Sequence, residues 1–281
     1  MELDKIITGD SAVVLQSFPP DCIDLSIQSP PYDNLRSYEG QAEFDFETIA
    51  RQLFRVTKQG GVCVWVVGDA TINGSETLTS FKQALFFREC GFNVETMIYQ
   101  VPGTGAKGSN NYYWQVFEYM FVLSKGAPKT VNRLKDKKNK RAGSVSTSGA
   151  KQNSVGTRLH SANGTTVNEY GYRDNVWVIL PGNNGDDQTE HPAPFPEALA
   201  RDHILSWSNE GDTVLDCFAG SGTTLKKAKE LSRHYIGIER EPKYVSIAEK
   251  RLLATSVPLF GQERGLTPRE PDKRDSSPSQ A

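Results

Sequence analysis

The chain has no apolar run approaching the ~20 residues that a membrane-crossing helix needs. Its first residues, Met1-Glu2-Leu3-Asp4-Lys5, lack the basic start and long apolar centre of an export signal. A soluble, unexported, cytoplasmic protein is expected. Cysteine is scarce and scattered: Cys22, Cys63, Cys90 and Cys217 show no C-x-x-C spacing, and three of them fall in apolar stretches or at their ends. Neither a disulfide framework nor a zinc site fits that pattern, so no metal is expected. Internal repeats are absent as well. The 281 residues are enough to bury a substantial core, as one large α/β domain with an insertion or as two smaller domains.

Against this background two segments stand out. Ser29-Pro30-Pro31-Tyr32 follows the apolar run Cys22-Ile23-Asp24-Leu25-Ser26-Ile27, which reads as a buried strand ending in a sharp loop. Each proline fixes its own φ and has no N–H, so nearby carbonyls point outward without local partners. A hydroxyl, such carbonyls and an aromatic face at a strand exit form a platform for a planar amine. A plain proline-rich turn after a strand would show the same four residues. Far downstream, Thr213-Val214-Leu215-Asp216-Cys217-Phe218-Ala219-Gly220-Ser221-Gly222-Thr223-Thr224 runs from a short apolar strand through a glycine turn into a helix. The glycines permit a tight turn and close approach to a ligand, and the helix start offers free N–H groups. A further strand, His234 to Ile238, ends at Glu239, about 20 positions beyond the turn, where an acidic side chain commonly takes a ribose diol. The third glycine of a dinucleotide fingerprint is missing, and no Gly-Lys-Ser/Thr follows. A ligand with a nucleoside but no pyrophosphate fits better, and S-adenosylmethionine is one.

Charge is distributed unevenly. The chain carries −2 overall, yet ten basic residues between Lys125 and Arg158, among them Lys135, Lys137, Lys138, Lys140 and Arg141, stand against Asp136 alone, a local +9. Interleaved Gly, Ser, Asn and Thr make this stretch loop-like, with little to bury. It reads either as a solvated insertion or as an arm contacting phosphates. Elsewhere the pattern predicts strands over 3–8, 22–28, 62–67, 93–101 and 115–124, and helices over 11–17, near 45–58 and near 76–90. A helix over about 197–207 and a β-α-β-α run over 213–253 close the fold, whereas 102–175 is irregular and polar apart from strand 115–124. Pro268 to Ala281 is charged, rich in proline and serine and without periodicity, the pattern of a disordered tail. Alternating strands and helices imply an α/β fold with a mostly parallel, doubly wound sheet.

In this order the two motifs resemble those of the amino-group DNA methyltransferases in the permuted arrangement called the β class. There the catalytic tetrapeptide precedes target recognition, and the S-adenosylmethionine loop comes near the C-terminus. The resemblance covers roughly residues 1–255. Thr8-Gly9-Asp10 after the first apolar strand, Gly60 to Gly68 after the first long helix, and Val176-Trp177 before His191-Pro192-Ala193-Pro194-Phe195-Pro196 also match in order. It implies a Rossmann-like methyltransferase fold made of a catalytic half (1–101), a target-recognition insertion (102–190), a cofactor-binding half (191–256) and a disordered tail (257–281). It also implies S-adenosyl-L-methionine as cofactor and double-stranded DNA as partner, and leaves a homodimer and a cognate restriction endonuclease open. No cysteine follows a proline, unlike the nucleophile of the C5-cytosine enzymes, so the chemistry is expected at nitrogen. Serine at the head of the tetrapeptide resembles the N4-cytosine enzymes, whereas the N6-adenine enzymes mostly carry aspartate. N4-cytosine is the expected target and N6-adenine the alternative.

On this resemblance Ser29, Pro30, Pro31 and Tyr32 are catalytic. Asp10 lies by the adenine ring of the cofactor, Asp216 by its methionine end and Glu239 by its ribose, with Phe218, Ala219, Gly220, Ser221, Gly222, Thr223 and Phe195 completing that site. Arg36 and the cluster Lys135, Lys137, Lys138, Lys140 and Arg141 contact DNA. Some positions have plainer readings: Asp10 equally suits the N-cap of the helix at 11–17, Phe195 a core position, and Arg36 and Tyr38 a solvated loop. A nucleoside-binding oxidoreductase would share the 213–239 unit but gives Ser29 to Tyr32 no role. A catalytically silent DNA-binding protein would need no glycine turn.

Overall fold

The computed structural model describes residues 1–31, 45–100, 113, 115–146, 151–152, 158–159, 165–179 and 196–256. The chain divides into two compact units, Met1–Asn132 with Asn175–Leu259, and Arg133–Asp174 with Phe260–Ala281. In chain order the first unit begins with β1 (Lys5–Thr8), α1 (Ser11–Val14), β2 (Ile23–Gln28), α2 (Phe46–Val56) and β3 (Thr57–Val67). A small hairpin, β4 (Thr71–Ile72) and β5 (Ser75–Glu76), leads to α3 (Thr79–Glu89), β6 (Asn93–Gln100) and β7 (Phe117–Ser124). The second unit follows with two-residue strands: β8 (Lys137–Lys138), β9 (Val145–Ser146), β10 (Lys151–Gln152), β11 (Arg158–Leu159), β12 (Thr165–Thr166) and β13 (Tyr170–Gly171). The chain then returns to the first unit through β14 (Val176–Val178), α4 (Glu197–Trp207), β15 (Thr213–Asp216), α5 (Thr223–Glu230), β16 (His234–Glu239) and α6 (Pro242–Ala254).

Eight of the strands form one sheet in the order β1-β16-β15-β2-β3-β7-β6-β14. All neighbours run parallel except at β7, which is antiparallel to both β3 and β6. The mostly parallel α/β sheet expected from the sequence is therefore present. β3 shows why its strands read as unbroken apolar runs: Val62, Val64 and Val66 face one core, and Cys63, Trp65 and Val67 the other. Both faces of such a strand are covered, so alternation disappears from the sequence. One core packs α2 (Ile49, Ala50, Leu53) and Phe87 of α3 against the sheet; the opposite core packs Leu199 and Ile204 of α4, Leu225 and Ala228 of α5, and Leu252 of α6. Local signals set the helix ends. Asp45 caps α2 by accepting from Thr48 N at 3.1 Å, with Glu47 in the first turn and Arg55 in the last, the polarity that a helix dipole favours.

Two expectations need correction. β3 starts at Thr57, five residues before its apolar run, because Thr57 pairs with Ile23 ahead of a register shift that the side-chain pattern does not encode. The stretch 102–175 also holds more order than its polarity implied. Its described residues include three antiparallel two-residue ladders, β8 with β13, β9 with β12 and β10 with β11, built on backbone hydrogen bonds that need no apolar periodicity. Within the span 102–190, β7 and β14 are strands of the main sheet. The tail 257–281 lies outside the described residues. Among those described, no helix is long and apolar enough to cross a membrane.

Candidate active site

β2 and β15 are parallel neighbours, with Leu25 opposite Val214 and Ser26 opposite Leu215. From β15 the chain passes through α5 to β16 on one side; from β2 it passes through α2 to β3 on the other. The crevice at the carboxyl ends of such a pair is where open α/β sheets hold ligands. Ser29-Pro30-Pro31 follows β2 at this edge, and Cys217 to Gly222 follows β15. Two motifs far apart in sequence thus share one edge, as their order implied. Ser29 is half-buried, Pro30 buried and Pro31 exposed. Tyr32, Arg36 and Tyr38 lie outside the described residues, as do His191 and Phe195.

The glycine turn is pinned to β16. Ala219 N donates to Ile238 O at 2.9 Å, and Gly220 N donates to Glu239 Oε2 at 2.8 Å. Gly220 and Gly222 have φ of 49° and 78°, in the left-handed region that disfavours a Cβ. A Cβ on Gly222 would also come within 2.7 Å of Ala248 Cβ, so this glycine admits α6 as well as the turn. Ser221 and Thr223 are buried, and their hydroxyls accept from Arg251 Nη1 at 3.0 and 3.2 Å. Phe218 packs its ring edge-on to Trp65, with centroids 6.1 Å apart.

Three acidic residues gather at this edge. Asp10 is the N-cap of α1, accepting from Ala12 N at 2.8 Å, so its capping role is realised. Its loop nevertheless packs at the same edge: Thr8 lies opposite Glu239, Gly9 N donates to Glu239 O at 3.0 Å, and Ser11 Oγ donates to Cys217 O. Burial pushes the Asp216 carboxyl up to about 7; hydrogen bonds from Thr224 and from Phe218 N pull it down, and the charge of Glu239 pushes it up again. Burial also raises Glu239, opposed by backbone hydrogen bonds from Glu241, Gly220 and Arg240. Among the described residues no cation contributes to either group. Two desolvated carboxyls without a counter-cation suit a ligand that brings positive charge, and the ammonium and sulfonium of S-adenosylmethionine do so.

Burial disfavours the thiolate form of the neighbouring cysteines. Burial pushes Cys63 up to about 12 and Cys217 well above its ordinary value. Gln28, the last residue of β2, is fully enclosed; its Nε2 donates to Cys63 Sγ at 2.9 Å, while its Oε1 has no partner among the described residues. Among the described residues no group of metal-ligating side chains could hold an ion. Sequence reading missed Ser11, Gln28, Thr224 and Arg251. None of the four was legible as a site residue, because their places follow from register and helix packing.

In the second unit Lys135, Lys137, Lys138, Lys140 and Arg141 are largely accessible. They are not equivalent. Lys137 pairs with Asp174 at 2.5 Å, whereas Lys135 lies 5.3 Å from the ring centroid of Tyr172, which Arg133 covers at 4.0 Å. The basic stretch read as one arm from Lys125 also needs correction. Lys125 sits in the first unit, paired with Asp21 at 2.8 Å and donating to Phe54 O and Thr57 O at 3.1 and 3.0 Å. It ties the end of β7 to the α2–β3 junction, a job its charge alone could not reveal.

The raised carboxyl gives a pH test. The folded chain holds the Asp216 proton up to about 7, while the ordinary group releases it near 3.8. Folded protein therefore binds more protons in that window, and stability falls as pH rises through it. Asp216→Asn should flatten this slope and raise stability at pH 8 more than at pH 5, by a difference on the order of 2–4 kcal/mol. Parallel melting curves of the two proteins across pH would show Asp216 to be an ordinary surface-like acid.

Comparison with known proteins gives the family. Residues 23–250 match the family described as DNA methylase, the N6/N4 group. The orphan methyltransferase M.BamHII of Bacillus amyloliquefaciens is 51% identical over 239 residues, covering 83% of this chain and 89% of that protein. The DNA adenine methyltransferase YhdJ of Escherichia coli K12 is 29% identical over 277 residues, covering 89% and 83%. The solved PvuII DNA methyltransferase, cytosine-N4-specific, shares the fold with a TM-score of 0.66 at 21% identity, covering 92% of this chain and 89% of that one. TTHA0409 of Thermus thermophilus, solved in complex with S-adenosyl-L-methionine, gives a TM-score of 0.61 at 25% identity, covering 91% and 95%. With a family match over most of its length and a relative this similar, the chain belongs to the N6/N4 DNA methylases and transfers a methyl group from S-adenosyl-L-methionine to an amino group of a base in double-stranded DNA.

Proposed function

We propose that the amino group methylated is N4 of cytosine, with N6 of adenine as the alternative. The observation that carries this reading is Ser29, a hydroxyl rather than a carboxylate, at the carboxyl end of β2 beside the glycine turn after β15. The names of the relatives divide between the two bases, so the weight rests on that residue. A base inside a duplex is out of reach, and flipping it out costs a few kcal/mol. Its exocyclic amine is a poor nucleophile while its lone pair is delocalised into the ring. Ser29 Oγ and the Pro30 carbonyl accept the two N–H groups, favouring a tetrahedral nitrogen, and Tyr32 stacks on the ring. The cofactor supplies the sulfonium methyl, which the freed lone pair attacks in line as the carbon–sulfur bond breaks toward sulfur. The nitrogen then loses a proton to solvent. Asp216 and Glu239 hold the cofactor's methionine end and ribose; catalysis comes mainly from positioning. Asp10, Phe218, Ala219, Gly220 and Gly222 line the same cofactor site.

We also take the enzyme to be cytoplasmic, and to act without a paired endonuclease, as the word orphan says of M.BamHII. Cleavage of the chromosome at the same sites after loss of the gene would contradict the second point.

Sequencing of modified bases in DNA from cells expressing the protein should reveal N4-methylcytosine at a defined site. N6-methyladenine alone would reverse the choice of base. Tyr32→Ala should lose most transfer with cofactor affinity nearly intact, since one stacking contact is worth about 1–3 kcal/mol in base capture. A folded Tyr32→Ala protein with full activity would sink the mechanism.

For DNA binding we propose that Arg133 joins Lys135, Lys138, Lys140 and Arg141 in holding phosphates, and that Lys137, already paired with Asp174, adds least. Replacing Lys135, Lys138 and Lys140 by Ala should weaken cognate and non-cognate duplexes by similar factors. It should lower the slope of log affinity against log salt by up to about 0.9 for each phosphate no longer neutralised. Lys137→Ala should change that slope less than Lys135→Ala. An unaltered slope in the triple variant would mean that DNA is held elsewhere.

A further inference from the structure

We propose that Arg251 is a positioning residue for the cofactor: it fixes the glycine turn from behind, with Glu197 as its anchor. Arg251 lies near the end of α6, and its side chain is 9% exposed. Nη1 donates to Ser221 O at 2.6 Å, to Ser221 Oγ at 3.0 Å and to Thr223 Oγ1 at 3.2 Å. Nη2 reaches Glu197 Oε1 at 3.3 Å. One planar fork therefore spans the turn through Nη1, whose two N–H groups are shared among the carbonyl and the two hydroxyls, and Glu197 through Nη2, a two-ended arrangement that a lysine's point charge cannot reproduce.

The turn needs such a grip. Gly220 and Gly222 flank Ser221, both at positive φ, so side-chain sterics do little to fix the peptide between them. On the β16 side the turn is already held by Gly220 N on Glu239 and Ala219 N on Ile238 O. Arg251 supplies the other jaw. It also engages the Ser221 carbonyl and the hydroxyls of Ser221 and Thr223 on the α6 side, so these groups are already occupied behind the turn. Glu197, in the first turn of α4, is shared among Arg251, Lys226 at 2.8 Å and Lys227 at 2.6 Å. That carboxylate joins α4, α5 and α6 immediately behind the turn, and it keeps the buried guanidinium from standing uncompensated.

The test is Arg251→Lys, which keeps the charge and the stem but not the fork. Cofactor affinity, measured calorimetrically with S-adenosylmethionine and no DNA, should fall roughly ten- to hundredfold. KM for the cofactor should rise by the same factor, while kcat at saturating cofactor, DNA affinity and the ligand-free melting temperature stay near wild type. Glu197→Gln should act in the same direction, and the double variant should weaken binding by less than the product of the two single factors, because both act through one set of bonds. Wild-type cofactor affinity in a folded Arg251→Lys protein overturns the proposal. So does a parallel fall of cofactor affinity, DNA affinity and kcat that tracks the folded fraction, which is what a purely structural residue would give. Arg251→Met, which also removes the charge, should weaken the cofactor at least as much; a smaller loss than in Arg251→Lys would overturn the fork argument. The readout is cofactor binding alone, so it is independent of which base is methylated.

Discussion

β2 and β15 touch through two residue pairs, and 189 residues separate the partners in each. Closing so long a connection costs conformational entropy that must be offset locally. Leu25, Ser26, Val214 and Leu215 are all fully buried, with Leu25 and Val214 in one core and Leu215 in the other. Asp24 adds a polar lock at the opposite end: its Oδ2 accepts from Thr213 N at 3.0 Å and pairs with Lys58 Nζ at 2.7 Å. A slip of one residue would turn each side chain to the wrong face and break that lock. Everything at the carboxyl edge inherits this register. Ser29 and Pro30 stand beside the glycine turn only because Asp24 stands beside Thr213.

The turn itself separates two electrostatic environments. On one side, at the carboxyl ends of β15 and β16, Asp216 and Glu239 are desolvated, mutually repelling and without a cation among the described residues. Behind the turn, Lys226, Lys227 and Arg251 converge on Glu197, with Glu230 sharing the two lysines. Each of these charges already has an opposite partner within the fold. The front is the unbalanced side, and a preorganised, uncompensated field acts strongly on a bound cation because nothing must rearrange to meet it. Rigidity and reactivity are thus divided across one short loop.

Much of this was legible in the chain. The strands and helices of the first unit fall close to where periodicity put them, and the meeting of Ser29-Pro30-Pro31 with the 216–222 turn followed from motif order. Periodicity reports side-chain burial, so it failed where backbone pairing runs without an apolar pattern, as at Thr57 and in the two-residue ladders of the second unit. Motifs report local geometry, so they missed Arg251 and Glu197, which act on the turn from 30 and more than 20 residues away. Charge counts report composition, so Lys125 was grouped with the accessible lysines although it is clamped between Asp21 and two carbonyls. Asp10 shows a subtler limit. Its capping and its place at the carboxyl edge of the sheet are both present, because the helix it caps begins at that edge.

The two units also differ in sign, and that bears on how a duplex is met. Between Arg133 and Asp174 nine basic residues outnumber three acidic ones, so this segment is +6 and the rest of a chain of −2 is −8. A polyanion is drawn to the first and repelled by the second except where cations are bound. The methyl donor is itself cationic, and at the site proposed above it would cover negative charge that Asp216 and Glu239 otherwise present to a phosphate backbone. Loading the cofactor there would relieve part of the repulsion at the edge proposed to receive the flipped base. On these grounds cofactor and DNA should favour each other's binding, and by linkage the factor must be the same in both directions.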